Sequence, residues 1–191
     1  MRHIRRCVIG TGRDGQSYTQ FDRIAPVGMT LGKTGAVGLL WATRQIPIKN
    51  TGNDDPTLGS FQPLPGPGGT VFAFVMFPPE HEIGAQTLAQ NMMARGSELG
   101  AAVHFANPHK HPGMHQTNTL DYSVILEGEV WLLTDKDEVL LKAGDTVICR
   151  GANHHWNNRT AVPCVALVVS IDAEPLEPPQ PAVDFPSSNP L

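Results

Sequence analysis

The stretch "MHQTNTLDYSVILEGE", residues 114–129, decides the fold of this 191-residue chain. Side chains alternate between the two faces of a strand. A strand through this stretch therefore places Leu120 and Tyr122 on one face and Asp121 and Ser123 on the other. Gly128 then predicts a tight strand connection where a positive φ is needed. An aspartate at the head of so apolar a strand needs a chemical explanation.

The residues after 129 continue as short strands with brief connections. The runs "EVWLLT", "VLLK", "TVICR" and "CVALVVSI" are separated by turn residues, among them Gly144-Asp145. Their even spacing predicts an all-β sandwich that is closed or nearly closed. Upstream, "VFAFVMF" at 71–77 predicts a buried strand that stops at Pro78-Pro79. The 19 glycines and 17 prolines agree with a body rich in turns.

We expect three regions along the chain. Residues 1–69 are predicted to form N-terminal strands and a loop that pack on the barrel, residues 70–172 the barrel, and residues 173–191 a Pro-rich C-terminal tail. Apolar residues at helical spacing around 84–103 predict one short helical insertion.

The composition limits the partners and the compartment. Hydrophobic residues at 40%, charged residues at 17% and a net charge of -4 describe a soluble globular protein without a nucleic-acid or membrane surface. The basic start "MRHIRRCVIG" lacks a following apolar segment, so we expect a cytoplasmic protein. Cys7, Cys149 and Cys164 lie far apart and are odd in number, which favours buried reduced thiols.

Three residues form a candidate metal site. His115 and His154 lie on separate predicted strands, and Asp121 begins a third. Two imidazoles and a carboxylate suit one divalent transition metal, either Fe, Mn, Ni or Zn, with further positions open to water or substrate. The alternatives are that His115 caps a strand end and that Asp121 binds backbone amides in a turn.

Residues 114–158 resemble the two-motif signature of the cupin superfamily. The first motif reads His115-Gln-Thr117, three residues, Asp121, six residues, Gly128; the second reads Gly144-Asp145, then "RGAN", His154, three residues, Asn158. The chain is similar in particular to single-domain cupins with the patterns "MHxTxxxDYxxVLEGE" and "RGxxHxWxN", most of which lack an assigned reaction. The resemblance covers roughly residues 70–172.

The chain departs from the superfamily pattern at three positions. Thr117 stands where a second histidine is usual, Asp121 where glutamate is usual, and Arg150 where proline is usual. The resemblance implies a double-stranded β-helix, also called a jelly-roll barrel, with an N-terminal β extension. It leaves three candidate ligands where a full cupin site has four.

Further residues are assigned to the pocket or placed outside it. The predicted pocket residues are Thr117, Ser123, Trp156 and Asn158. The three-residue gap to Asn158 selects His154 over His155 as the ligand, so alternation predicts that His155 faces the exterior. His109 and His111 are interpreted as a solvated loop, with an extra metal ligand as the alternative.

The resemblance implies a metal-dependent cupin acting on a small organic acid or phenolic compound. Oxygenase chemistry is favoured slightly over decarboxylation or isomerisation because of the ligand type. The alternative is a non-catalytic small-molecule-binding cupin with a degenerate metal site. Single-domain cupins commonly pair, so we also expect a homodimer.

Overall fold

The computed structural model describes residues 3–84 and 103–177, and the regular elements in these ranges are strands except for one short helix. The elements are β1 (Arg5–Thr11), β2 (Ser17–Ile24), β3 (Met29–Leu31), β4 (Gly35–Thr43), β5 (Thr70–Phe77), α1 (Glu80–Ile83), β6 (Val103–Phe105), β7 (His115–Thr117), β8 (Thr119–Glu127), β9 (Glu129–Thr134), β10 (Glu138–Lys142), β11 (Thr146–Arg150), β12 (His154–Asn157) and β13 (Cys164–Asp172).

Two antiparallel sheets make the body. One has five strands in the order β10-β9-β12-β7-β6, and the other has six in the order β11-β8-β13-β5-β4-β3. From β7 to β13 the chain crosses repeatedly from one sheet to the other, and only β9 and β10 are consecutive neighbours in one sheet. This winding is a jelly roll, so the predicted all-β barrel is confirmed.

Glycines lie at several corners where the chain changes sheets, and two of them were predicted from the sequence. Gly128 (φ 75°) links β8 to β9, and Gly144 (φ 97°) links β10 to β11. Both lie in the left-handed region that a side chain disfavours, as the sequence predicts. Asp145 accepts a hydrogen bond at Oδ2 from the Lys142 amide (2.7 Å), which closes the second corner.

Strand β8 has an unusual distribution of polarity. Its inward face carries Asp121 and Ser123, while Tyr122 on the outward face is 47% exposed. Further along the same inward face, Ile125 is buried in an apolar cluster between the sheets. The other members of that cluster are Val130, Leu132, Leu141, Cys164 and Ala166. One part of the barrel interior is therefore a packed core, and the part beside Asp121 is polar.

The N-terminal region contributes to the barrel and also covers it. Strands β3 and β4 extend the six-stranded sheet beyond β5, and β1 pairs only with β2 as a separate hairpin. A second apolar cluster joins this region to the outer face of the sheet. It contains Ala25, Ala36, Leu40, Phe74, Met76 and Val165. Burying each large side chain of this kind contributes roughly 1.5–3 kcal/mol.

Other predictions have mixed outcomes. The helical insertion predicted around 84–103 lies mostly on residues 85–102, outside the described residues; at its ends, Gly84 follows α1 and Val103 begins β6. Most of the Pro-rich tail also lies outside them, and the division into three regions stays a prediction. No helix in the described ranges has the length and apolar character that crossing a bilayer requires.

A buried ion pair ties the N-terminal hairpin to the loop after β4. Asp55 bonds both Arg6 and Arg23, and its side chain is 2% exposed. Arg6 also donates from Nη1 to the Leu40 carbonyl (3.0 Å). Burial acts to raise the pKa of Asp55, but hydrogen bonds from Arg6 and Thr57 outweigh it and hold the pKa below its ordinary value of 3.8.

We predict that Asp55→Asn destabilises the protein by on the order of 3 kcal/mol, because it leaves Arg6 buried without its counter-ion. Urea denaturation measures this loss. Since the pKa of Asp55 is lower in the folded chain, its contribution is present above about pH 4 and lost as the pH falls further.

The matched control is Asp22→Asn, which removes an exposed pair with Arg5 (2.7 Å) on the same hairpin. Little change is expected there, because exposed ion pairs contribute little. Equal denaturation midpoints for the two variants would show that the Asp55 cluster does not hold the hairpin in place.

Candidate functional site

A cavity of about 250 Å³ lies between the two sheets and has one apolar and one polar wall. The apolar wall comes from the N-terminal strands and β5, and consists of Met29, Leu31, Val37, Ala73 and Val75. The polar wall comes from β7, β8, β11, β12 and β13, and consists of His115, Thr117, Asp121, Ser123, Cys149, His154 and Ser170. The loop residues Pro63 and Leu64 also line it.

The two predicted histidine ligands meet on this polar wall. His115 on β7 is the register partner of His154 on β12, and their ring centroids are 4.6 Å apart. His115 Nδ1 lies 2.9 Å from the Gly113 carbonyl oxygen, and His154 Nδ1 lies 2.8 Å from that of Ala152. A carbonyl can only accept, so each Nδ1 carries a proton, and in the neutral form of each ring Nε2 keeps its lone pair.

The protonation of the two rings differs. Burial, together with the neighbouring His154, lowers the pKa of His115 to about 3. His115 is therefore neutral at physiological pH. Burial also acts to lower the pKa of His154, but interactions with Cys149, the Ala152 carbonyl and Asp121 outweigh it and raise the pKa. The Cys149 Sγ atom lies 3.6 Å from His154 Nδ1.

Asp121 faces the histidines from the opposite sheet. Its Oδ2 accepts a hydrogen bond from the Thr119 hydroxyl (3.0 Å), and its Oδ1 is buried without a hydrogen-bond partner in the described part of the chain. Burial raises the pKa of Asp121, and hydrogen bonds from Ser170 and Thr119 oppose this rise. Burial thus removes water from the Asp121 carboxyl group, and its hydrogen bonds to Ser170 and Thr119 compensate for that loss only in part.

The three predicted ligands line one cavity without forming a closed metal cage. Among residues 3–84 and 103–177, no group of three or more His, Cys, Asp or Glu side chains is close enough to hold a metal ion. Two imidazole nitrogens and an unpartnered carboxylate oxygen are the right kinds of donor for a transition metal. The donor types fit, but only His115 and His154 are brought together as a pair.

Thr117, which stands where the motif that the sequence resembles has a second histidine, is fixed by a chain of hydroxyl hydrogen bonds. Its Oγ1 lies 2.7 Å from that of Thr119. The single hydroxyl hydrogen of Thr119 goes to Asp121, so Thr117 must be the donor to Thr119. Thr117 consequently offers the cavity only lone pairs.

Of the other predicted pocket residues, Ser123 and Trp156 both line the cavity. Ser123 is 5% exposed and follows Asp121 on the inward face of β8. Trp156 stacks on Phe77, with centroids 5.1 Å apart and an interplanar angle of 17°. The two rings form an aromatic wall.

Asn158 lies at the cavity but its amide is fully engaged elsewhere. Its Nδ2 donates to the carbonyls of Phe77 (2.9 Å) and Val162 (2.8 Å), and its Oδ1 accepts from Thr160. Its own carbonyl accepts the Glu80 amide (2.9 Å). Asn158 therefore positions the end of β5 and the start of α1 rather than a ligand.

The prediction that His155 faces the exterior is wrong. His155 is 3% exposed, lines the cavity and stacks on His111 with centroids 3.9 Å apart. Strand β12 is only four residues long, and the loop containing Gly113 folds over its outer side. The alternation of side chains along a strand says that His155 and His154 point to different faces of β12. It cannot say that a loop covers the face that carries His155.

His111 is also buried, contrary to its interpretation as part of a solvated loop, whereas His109 is exposed. His111 Nε2 lies 2.7 Å from Glu80 Oε1, and His111 Nδ1 accepts the Gly113 amide (3.0 Å). The proton is therefore on Nε2, which donates to Glu80. No periodic pattern in the sequence predicts that Glu80 belongs to the site. Its position directly after Pro78-Pro79, where the buried strand ends, was the sequence feature that could have pointed to it.

The cysteines follow the expectation in part. Cys149 and Cys164 are buried and free, whereas Cys7 is exposed. Burial raises the pKa of Cys164 to about 12, so this thiol is a packing residue.

Comparison with known proteins gives partial matches. Phomopsin biosynthesis cluster protein C' from Diaporthe leptostromiformis is 42% identical over 66 residues, 34% of this chain and 35% of that protein. Oryzines biosynthesis cluster protein J from Aspergillus oryzae is 37% identical over 81 residues, 40% of this chain and 45% of that protein. The cupin-domain-containing oxidoreductase virC from Hypocrea virens is 33% identical over 67 residues, 33% of this chain and 34% of that protein.

The alignments thus span between a third and a half of the length of these relatives. The chain matches no model of a known protein family. Among solved structures, a Cupin 2 conserved barrel domain protein from Salinispora arenicola CNS-205 aligns over 61% of this chain and 72% of its own, with 15% identity and a TM-score of 0.34.

We predict that Gly113→Ala disturbs the histidine cluster and destabilises the protein by about 1–3 kcal/mol. A Cβ at this position would lie 2.6 Å from His155 Nδ1 and 3.3 Å from His111 Nδ1, so a buried ring must move. Thermal or urea unfolding measures the loss, and histidine NMR resonances report the displaced rings.

Gly66→Ala is the control, because a Cβ there meets nothing within 4 Å. Unchanged histidine resonances in Gly113→Ala would contradict the packing of both rings against this glycine.

Proposed function

We propose that this protein, which has the cupin fold, is a metal-dependent cupin acting on a small organic acid or phenolic compound. His115, His154 and Asp121 are the proposed ligands of one divalent transition metal, either Fe, Mn, Ni or Zn. The observation that carries the proposal is the proximity of the two imidazole rings, with centroids 4.6 Å apart, each oriented by an Nδ1 bond to a backbone carbonyl.

In this proposal the residues of the chain hold and orient the reactants. The neutral His115 and the imidazole of His154 supply nitrogen donors, and the unpartnered Oδ1 of Asp121 supplies the carboxylate. A bound divalent metal supplies Lewis acidity toward substrate oxygens. The apolar wall opposite excludes water from the reacting end of the substrate, which strengthens every electrostatic contact there.

The ligand set and the names of the relatives favour one type of reaction. A ligand set of two histidines and one carboxylate with open positions is typical of oxygen activation. A relative of partial length is named an oxidoreductase, and two others are named for biosynthetic clusters. Oxygenase chemistry in a biosynthetic setting is accordingly favoured over decarboxylation or isomerisation, although one fold can host all three.

A second candidate is a non-catalytic binding protein that keeps the cavity but holds no metal. It is favoured by the lack of a group of three metal-binding side chains in the described ranges and by Thr117, whose hydroxyl is engaged with Thr119. Metal content under saturating conditions separates the two candidates.

The proposed homodimer has a suitable surface. The outer face of the six-stranded sheet exposes Tyr122 (47%), Leu126 (38%) and Ile148 (60%), and Ile148 is the register partner of Tyr122. Exposed apolar rows of this kind are typical of protein interfaces.

We predict that purified protein, dialysed against each candidate metal in turn, retains one equivalent of at least one of them, and that His154→Ala and His115→Ala each lose most of it. Losing a nitrogen donor from a set of three leaves too few ligands for stable binding. Elemental analysis by plasma mass spectrometry gives the metal content.

His104→Ala is the control, because His104 is exposed on β6 of the same sheet. Circular dichroism establishes that each variant is folded. Parent protein without stoichiometric metal, or equal metal in all variants, would contradict the metal site and favour the binding protein.

A further inference from the structure

The cavity is rich in hydrogen-bond acceptors that lack donors. Besides Asp121 Oδ1, the Nε2 atom of His155 is buried without a hydrogen-bond partner in the described part of the chain. His155 also hydrogen-bonds the Gly113 backbone, and since Nε2 has no partner this bond is made by Nδ1. The proton of His155 is therefore on Nδ1, which leaves Nε2 as an acceptor.

Glu80 adds a third acceptor at the edge of the cavity. His111 donates one hydrogen bond to its Oε1 (2.7 Å), while a carboxylate can accept about four. The position of Glu80 is fixed twice, because its amide also donates to the Asn158 carbonyl (2.9 Å). Its side chain is 27% exposed and lines the cavity.

Within the described ranges, neither Lys nor Arg lines the cavity. The hydroxyl hydrogens of Thr117 and Thr119 are already used within the chain that ends on Asp121, and Ser170 also bonds Asp121. In the described part of the chain, Ser123 is then the hydroxyl donor left on the cavity wall. A free carboxylate ligand would thus place acceptor oxygens and a negative charge beside the carboxyl groups of Glu80 and Asp121.

A hydroxyl donor on an uncharged ligand satisfies the free acceptor positions of Glu80, whose side chain is partly exposed. The cavity of about 250 Å³ admits a small molecule, and Phe77 and Trp156 offer it aromatic faces. An ammonium donor would lose more solvation against the apolar wall than a hydroxyl does.

We propose that Glu80, held by His111, is a specificity-determining residue that selects uncharged, hydroxyl-bearing aromatic ligands and rejects free carboxylates. This inference rests on the proposed function for the location of the ligand and narrows its substrate class from organic acids and phenols to phenols. It does not require the metal, so it is tested in metal-free protein.

The test uses 3-hydroxybenzamide and three probes that each differ from it in one group. These are benzamide, 3-hydroxybenzoate and 3-hydroxybenzylamine. Ligand-observed NMR measures their affinities for chelator-treated protein. We expect 3-hydroxybenzamide to bind at least about tenfold more tightly than benzamide, because a hydrogen bond to a charged acceptor is worth that much. It should also bind more tightly than 3-hydroxybenzoate.

The variant is Glu80→Gln, and the matched control is Glu82→Gln on the same helix. Glu82 bonds the Thr34 hydroxyl (2.9 Å) and does not line the cavity. Glu80→Gln should weaken 3-hydroxybenzamide about tenfold and strengthen 3-hydroxybenzoate, whereas Glu82→Gln should change neither. Should Glu80→Gln fail to fold, His111→Phe keeps the stack on His155, removes the donor to Glu80 and should weaken 3-hydroxybenzamide in the same direction.

Several outcomes overturn the inference while leaving the metal site to its own test. These are a preference of the parent for 3-hydroxybenzoate or for 3-hydroxybenzylamine, equal effects of the Glu80 and Glu82 variants, and no binding of any probe. Conversely, selective binding of 3-hydroxybenzamide by a protein that takes up no metal supports this inference and rejects the metal-dependent function.

Discussion

The pairing of His154 with His115 across β7 and β12 is the constraint on which the site depends. The two strands are short, with three and four residues, and this is their register pair. Each imidazole is held by a backbone carbonyl two residues earlier in its own chain segment. Backbone pairing thus sets the distance between the rings, and the carbonyls set which nitrogen each ring presents.

The polar interior beside these rings has to be stabilised by packing elsewhere. Strand β8 directs Asp121 and Ser123 inward and leaves Tyr122 outside, so this part of the barrel interior is polar and contributes little apolar packing. The cluster around Ile125 fills the interior further along the strand. The N-terminal region covers the outer face at Phe74 and Met76 and supplies the apolar wall of the cavity through β3 and β4. The same segment therefore serves both stability and the site.

The barrel was predictable from sequence because alternation and turn residues are local signals. The strand with Asp121 inside, and the positive-φ glycines at 128 and 144, follow from period two and from steric limits on the backbone. His115 and His154 were selected by motif spacing, which reflects strand register. Glu80 was missed because it begins a single-turn helix that is too short to show a period. His111 and His155 were misplaced because the loop that contains Gly113 carries the first and covers the second, and no period governs a loop.

The excess of lone-pair acceptors in the cavity affects both the proposed metal site and the proposed substrate. The lone pairs on His115, His154, His155, Asp121 and Glu80 are acceptors in a space that Lys and Arg do not line within the described ranges. Lone pairs are satisfied either by a cation or by a hydrogen-bond donor. A divalent metal at the paired imidazoles and a phenolic hydroxyl at Glu80 would meet this need at different places. A carboxylate substrate could enter only by binding the metal, because the protein alone opposes its charge. In both proposals the charge balance of the wall, more than its shape, determines which ligands the cavity accepts.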